Sequence, residues 1–434
     1  MKTIIFFEDI YDTLDLFTEQ LQEAFEKMGY GAFVYHAFQQ KQSEETLFSL
    51  LLQEAGIQNR SYTELTQAEW NRLKDTDFSE KFAVVTFNNL GYNLEIPFSS
   101  NDGEVKKGDS VISADRDSER NNLWEFFGIP YFNILMDHPF HYEKPLRSAP
   151  DTSVVLCTDR NHVKYIRRFY TNIRQVDFLP HAGVELHCKH KPIAERGIDV
   201  LYAGALPIYT VGKMIPDLSS IREVDGEEMM QTVLQELVHH PEKTTEQVIE
   251  EYITEKRNDI SKERLQELIV TMRFLDSYAT SFFREQAVRI LVESGIQVTA
   301  YGTGWDQCDW SDNPYLTYGG KVLAPQILPL MNNAKIVLNT MTWFKAGAHD
   351  RVFNGMLAGA AVVTDDSTYM RREFTDGKEL VMFSLSELAT LPERVFELFG
   401  HVSHMQEIAD CGYHAALERH TWKSRAEYLA ECYF

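Results

Sequence analysis

The stretch from 347 to 365 reads GAHDRVFNGMLAGAAVVTD and concentrates side chains able to handle an anion. A polar loop runs into His349, Asp350 and Arg351, and Asn354 follows one turn later on the same helical face as Arg351. A helix starting here offers free N–H groups and a positive dipole end, which suits a diphosphate. Arg351 adds a permanent, planar charge that matches phosphate oxygens, and Lys345 stands in the loop just before it as a second cation. The plainer alternative is a loop–helix–strand unit whose Arg and His are merely solvated.

Two glycine-bearing turns could accompany this loop. Gly302-Thr-Gly304-Trp305 follows an apolar run, and its glycines would let a phosphate or base approach the backbone. It lacks the third glycine and acidic follower of a dinucleotide fingerprint, so a bound NAD is not expected. Gly204 ends another apolar run, where open α/β sheets place their ligands. Arg284 lies on a helical segment with an apolar stripe. The default reading is a snorkelling core arginine, and reaching a diphosphate is the sharper one.

In the first half, Asp137-His138-Pro139 sets a carboxylate beside an imidazole after an apolar run. That pair could take a proton from a hydroxyl, or simply form a capped turn. Asn88 and Asn89 end a similar run and could bind hydroxyl groups or satisfy their own loop. His181, His187, Cys188 and His190 raise the question of zinc, but form no CxxC or HxxxH unit, so no metal is expected. Leu179-Pro-His-Ala-Gly183 reads more naturally as an interdomain hinge, and Trp422 as a packing anchor.

These residues need a scaffold of strands. Short apolar runs at 3–7, 82–87, 131–136 and 154–157 alternate with helical patterns, as in a doubly wound parallel sheet. A second series begins at 199–203 and resumes at 296–301, 316–318, 336–339 and 361–364. The acidic, helix-prone residues between, 206–280, read as a helical insertion. The expected organisation is a domain over 1–190, a second over 191–410, and a helical tail over 411–434 returning to the first.

With 434 residues and 44% hydrophobic content the chain can fill two cores. Its formal charge of −23 excludes a non-specific nucleic-acid binder, which needs a basic footprint. No run approaches the ~20 apolar residues of a membrane-spanning helix. The N-terminal apolar run is too short for a signal peptide, and the five scattered cysteines suit reduced thiols, so a cytoplasmic location is expected.

The order of these segments resembles the GT-B glycosyltransferases, and more closely the CgeB-like bacterial family named for a spore-maturation protein. The likeness rests on 298–305, Tyr318-Gly-Gly, 334–339, the His349–Arg351 helix start, 374–380, and His420-Thr-Trp422 with Arg425. It extends more loosely to 86–89, 137–139 and 179–183. The resemblance implies two Rossmann-like domains facing a cleft, with a nucleotide-diphosphate sugar as donor substrate and no cofactor or metal. Gly204, Gly302, Gly304, Trp305, Lys345, His349, Asp350, Arg351 and Asn354 would then serve the donor. Asn88 and Asn89 would serve an acceptor of unspecified kind, with Asp137 and His138 catalytic. Surface, spore or flagellar glycosylation is the implied role. One departure stands out: Ala346 and Asn354 occupy the positions of the two glutamates carried by many retaining members. Asn354 could still bond a ribose hydroxyl. The missing pair also keeps open a non-catalytic partner subunit, or an epimerase of the same fold.

Overall fold

A computed structural model describes residues 1–58, 60, 62–96, 122–207, 215–257 and 259–434. The chain forms two compact units. The first contains Met1–Cys157, Val163–Leu179 and Tyr433–Phe434; the second contains Thr158–His162 and Pro180–Cys432. The sequence reading draws its boundary at 190, past the Leu179–Pro180 division.

In the first unit six parallel strands take the order β2-β1-β3-β4-β5-β6. They are β1 Thr3–Glu8, β2 Gly31–His36, β3 Phe82–Phe87, β4 Tyr131–Leu135, β5 Ser153–Cys157 and β6 Gln175–Phe178. Every residue of β3, β4 and β5 is buried, which is why these strands read as continuous apolar runs. The short, half-polar β6 carries no such run, so sequence patterning does not mark it as a strand. At the chain's end, Phe434 packs on Phe25 and Phe132, and the Tyr433 hydroxyl donates to Asp177 at 2.8 Å.

The second unit repeats the plan as β12-β11-β10-β7-β8-β9. Its strands are β7 Ile198–Ala203, β8 Val298–Tyr301, β9 Leu316–Gly320, β10 Ala334–Asn339, β11 Ala361–Asp365 and β12 Val381–Phe383. The three-residue β12 is too short for its periodicity to be read in sequence. The helical insertion is present as Gly226–His239, Thr245–Lys256, Lys262–Met272 and the start of Phe274–Glu293. Residues 208–214 and 258 of that expectation lie outside the described residues.

The helix Asp350–Leu357 connects β10 to β11 and is buried from Arg351 onward. Gly183 lies against it: a Cβ there would come within 2.7 Å of the Phe353 carbonyl carbon and 2.9 Å of the Asn354 nitrogen. Only glycine allows so close a backbone approach. The tail supports the same segment. Gly183 N donates to the His420 carbonyl, while Arg425 donates to the Pro180 and His181 carbonyls at 2.8 and 2.7 Å. The 420–425 signature therefore fixes the chain at 180–183.

Candidate functional site

The site in the second unit gathers at the carboxyl ends of β7, β8 and β10. Arg351 is 6% exposed, its guanidinium lies 5.5 Å from the centre of the Tyr202 ring, and its Nη1 donates to the Asn339 amide oxygen. Asn339 is held in turn, donating to Thr364 at 2.8 Å, and the Tyr202 hydroxyl bonds Thr340 at 2.8 Å. The other arm of Arg351 comes to Gly204: a Cβ there would sit 3.3 Å from Nη2.

Arg284 reaches the same place from helix Phe274–Glu293. It is 8% exposed, its Nη1 donates to the Ala205 carbonyl at 2.7 Å, and its guanidinium lies over Trp343 at 5.2 Å. Its Nε is buried with no hydrogen-bond partner, and burial, with Arg351 nearby, lowers its pKa. Among the described residues neither guanidinium has a carboxylate partner. Two buried cations meeting at Gly204-Ala205 with neutral partners form an electrostatic arrangement that an anion would complete. Sequence reading passed over Arg284 in favour of packing. Its buried neighbours Phe283, Ala287 and Val288 make the segment look like ordinary core.

The glycine turn serves this arrangement from behind. Gly302 has φ +122, and a Cβ on it would lie 2.6 Å from the Gly204 carbonyl carbon. The space opened by Gly302 is thus filled by the chain's own backbone. Gly304, at φ +100, opens the turn that buries Trp305, whose Nε1 donates to the Gly204 carbonyl at 2.7 Å. These residues shape the Gly204 loop from its inner side.

His349 caps the helix start and keeps 18% side-chain exposure. Its Nδ1 lies 2.6 Å from Asp350 Oδ1 and 3.2 Å from the Arg351 backbone nitrogen. The longer contact is the helix cap, in which Nδ1 accepts the Arg351 N–H. Burial first, then Arg351, holds the imidazole pKa down to about 4, so the ring is neutral near pH 7. Burial disfavours an ionised Asp350, but the adjoining imidazoles and Arg351 outweigh it and hold its carboxyl well below the usual range. The His181 ring stacks parallel to His349 at 5.9 Å.

Asn354 is engaged within the protein. Its Oδ1 accepts the Val184 N–H at 2.8 Å, and its Nδ2 donates to Asp350 Oδ2 at 2.9 Å. Lys345 turns toward the helical insertion and donates to the Pro241 carbonyl. Burial lowers its pKa despite Asp365, Asp276, Asp159 and Glu246 around it. The loop itself is fastened by Asp159, which accepts the Ala346 N–H at 2.7 Å, and by Ser367, which donates to the Gly347 carbonyl at 2.6 Å.

In the first unit, Asn88, Asn89, Asp137 and His138 collect at the ends of β3 and β4. Asn88 Oδ1 accepts the Met136 N–H at 2.9 Å, and its Nδ2 is 3.4 Å from Asp137. Asp137 accepts the Tyr142 hydroxyl at 2.9 Å. Asn89 exchanges bonds with Asn133 at 2.7 and 2.8 Å. Both Asn88 and Asn89 adopt left-handed backbone, φ +47 and +66, which asparagine tolerates. His138 is buried, its Nδ1 accepts the Phe140 N–H at 3.1 Å, and burial keeps its pKa well below the usual value. Among the described residues no group of three or more His, Cys, Asp or Glu is arranged to hold a metal ion, and no helix is long and apolar enough to cross a membrane.

Residues 280–431 match the family model described as "Glycosyl transferase-like". No curated protein matches the chain in sequence. Among solved structures it is similar to sucrose-phosphate synthase from Thermosynechococcus elongatus, with 10% identity, TM-score 0.50, and coverage of 100% of this chain and 98% of that one. T4 phage BGT in complex with UDP and Mn2+ gives 11% identity, TM-score 0.47 and 99% coverage of both chains. Anabaena HepE in complex with UDP and glucose gives 10% identity, TM-score 0.45 and 99% coverage of both. The second unit thus contains a segment similar to glycosyltransferases, and the two six-stranded parallel sheets with flanking helices have the GT-B fold.

Proposed function

We propose that this chain transfers a sugar from a nucleotide-diphosphate sugar to an acceptor hydroxyl. The observation that carries the reading is the pair of buried arginines, Arg284 and Arg351, which meet at Gly204-Ala205 with no carboxylate partner among the described residues. A diphosphate supplies the two negative groups such a pair requires. Fixed guanidinium groups and the N-terminus of helix Asp350–Leu357 would stabilise the charge that develops as the diphosphate leaves.

In this reading the second unit takes the donor without a metal, and the first unit takes the acceptor at Asn88, Asn89 and Asp137. The chain works in the cytoplasm. The CgeB-like resemblance points its product toward a bacterial surface, spore or flagellum. The match of 280–431 to a glycosyl transferase-like model supports the donor half.

A thermal-shift panel of UDP-, GDP-, dTDP- and CMP-sugars, each with and without EDTA, tests this. At least one sugar nucleotide should raise the melting temperature, because a ligand of the native state stabilises it by mass action, and EDTA should leave the shift intact. A flat panel would overturn the reading, and a shift abolished by EDTA would overturn metal independence.

A further inference from the structure

The indole of Trp343 is held differently from others in this chain. The Nε1–H groups of Trp124, Trp305 and Trp310 donate to the Gly91 carbonyl, the Gly204 carbonyl and Glu285 Oε1, at 2.7, 2.7 and 3.0 Å. Trp343 is half-buried in the loop after β10, and its Nε1–H bonds to none of the described residues. Indoles are favoured where the ring packs on protein and the polar tip meets something else.

Its surroundings tie it to the paired arginines. The Arg284 guanidinium lies over the ring at 5.2 Å, and the His349 imidazole stands 5.5 Å away at 77°. Trp343 therefore borders both Arg284 and the cap of the helix Asp350–Leu357, which carries Arg351. Phe344 packs beside it at 5.4 Å and 43°. With a cation over the ring and two further rings against it, this indole is better suited to donating a hydrogen bond than to stacking on a base.

From this geometry we propose that Trp343 determines sugar specificity: its N–H recognises a hydroxyl of the donor sugar, and its ring holds Arg284 in place for the diphosphate. The inference rests on the donor reading above and names the residue that reads the sugar. A diphosphate held between Arg284 and Arg351 carries its sugar on a phosphate, within reach of a side chain that borders both arginines. A donor placed to bond a sugar hydroxyl discriminates against the analogue lacking it, because the N–H is then left unpaired. The cation–π contact with Arg284 gives the same residue a second, positioning role.

Two variants of the full chain separate the roles. Trp343→Phe keeps a ring beside Arg284 and removes the N–H, whereas Trp343→Leu removes both. Calorimetry compares UDP with UDP-glucose and GDP with GDP-mannose, and urea unfolding checks that each variant remains folded. In the pair that the wild type binds, Trp343→Phe should weaken the sugar nucleotide about 3- to 10-fold, the range of one neutral hydrogen bond. It should leave the nucleoside diphosphate within about twofold of wild type. Trp343→Leu should weaken both ligands, the diphosphate by about 3- to 30-fold, as Arg284 loses its support. A series of monodeoxy sugar donors supplies a readout that a merely structural role would not move. One of them should bind wild type and Trp343→Phe alike, and that one identifies the hydroxyl. Equal losses for sugar nucleotide and diphosphate in Trp343→Phe would overturn sugar recognition in favour of a phosphate or base contact. Wild-type affinities in both variants would overturn the proposal while leaving the donor reading intact. A wild-type chain that binds no member of either pair would instead refute the donor reading, and this inference with it.

Discussion

In the second unit, Arg351 and Arg284 are buried against a ring, a carbonyl and an amide oxygen, all neutral. In the first unit, Asp137 is bonded by Tyr142, Asn88 accepts the Met136 N–H, and His138 caps the Phe140 N–H. Both sets stand at the carboxyl ends of parallel strands, the usual ligand position of such sheets. The lesson is that position alone does not make a site. The second unit leaves two buried guanidinium groups with no carboxylate bonded to them among the described residues, whereas the first spends most of its polar groups on its own loops.

Exchanging the damage between the two regions would break this contrast most sharply. Arg351→Ala should weaken nucleoside-diphosphate binding by about 10- to 100-fold, the range of a lost charge-assisted hydrogen bond. It should leave the melting temperature unchanged or raise it, because a buried unpaired cation is costly. His138→Ala should do the reverse, lowering stability by about 2 kcal/mol through a lost cap and a cavity, with affinity unaltered. Calorimetry and urea unfolding on both variants would decide. Equal effects on affinity would end the distinction.

Acid and base should separate the buried groups by sign. The rings of His138, His349 and His420 are held neutral by burial, with His349 at about 4 and His420 at about 2. Below about pH 6.5 the unfolded chain binds protons that these rings refuse, so their contribution fades as the pH falls toward those values. Asp365 behaves oppositely. Burial pushes its carboxyl up to about 7 although it accepts the Met341 N–H at 2.8 Å, so its contribution is present below about pH 4 and lost as the pH rises to 7. Asp365→Asn, which keeps an oxygen for Met341, should stabilise the chain by about 1–3 kcal/mol at pH 8, the gain shrinking toward pH 4. Urea midpoints across that range would show a constant gain if the carboxyl titrates normally.

The smallest expected effect concerns the first unit's own network. Tyr142→Phe removes the hydroxyl that holds Asp137 and should cost about 1 kcal/mol with nucleotide affinity unchanged. If instead it changed only the KM for an acceptor, Asp137 would be poised for ligand as well as for its neighbours.

Much of the frame was legible in the sequence because parallel strands buried on both faces leave unbroken apolar runs. β3, β4, β5, β10 and β11 all carry that mark. β6 and β12 do not, being short or half-polar. The 347–365 segment was readable because a charged loop feeding a small-residue helix is a local pattern. The clustering of Arg284 with Arg351 was not, since the two lie far apart in sequence and Arg284 is flanked by core residues. The turn of Lys345 toward Pro241 was equally hidden.

The sequence by itself determined the two parallel sheets, the helical insertion, and a cationic helix start carrying His349, Asp350, Arg351 and Asn354. Tertiary structure alone decided which of these polar groups were already satisfied. It bound Asn354 to Val184, Asn88 to Met136 and Trp305 to Gly204, and left Arg284 and Arg351 with no carboxylate bonded to them among the described residues. The physical reason is that a side chain's availability depends on partners brought close by folding, and sequence spacing records only those within a few residues.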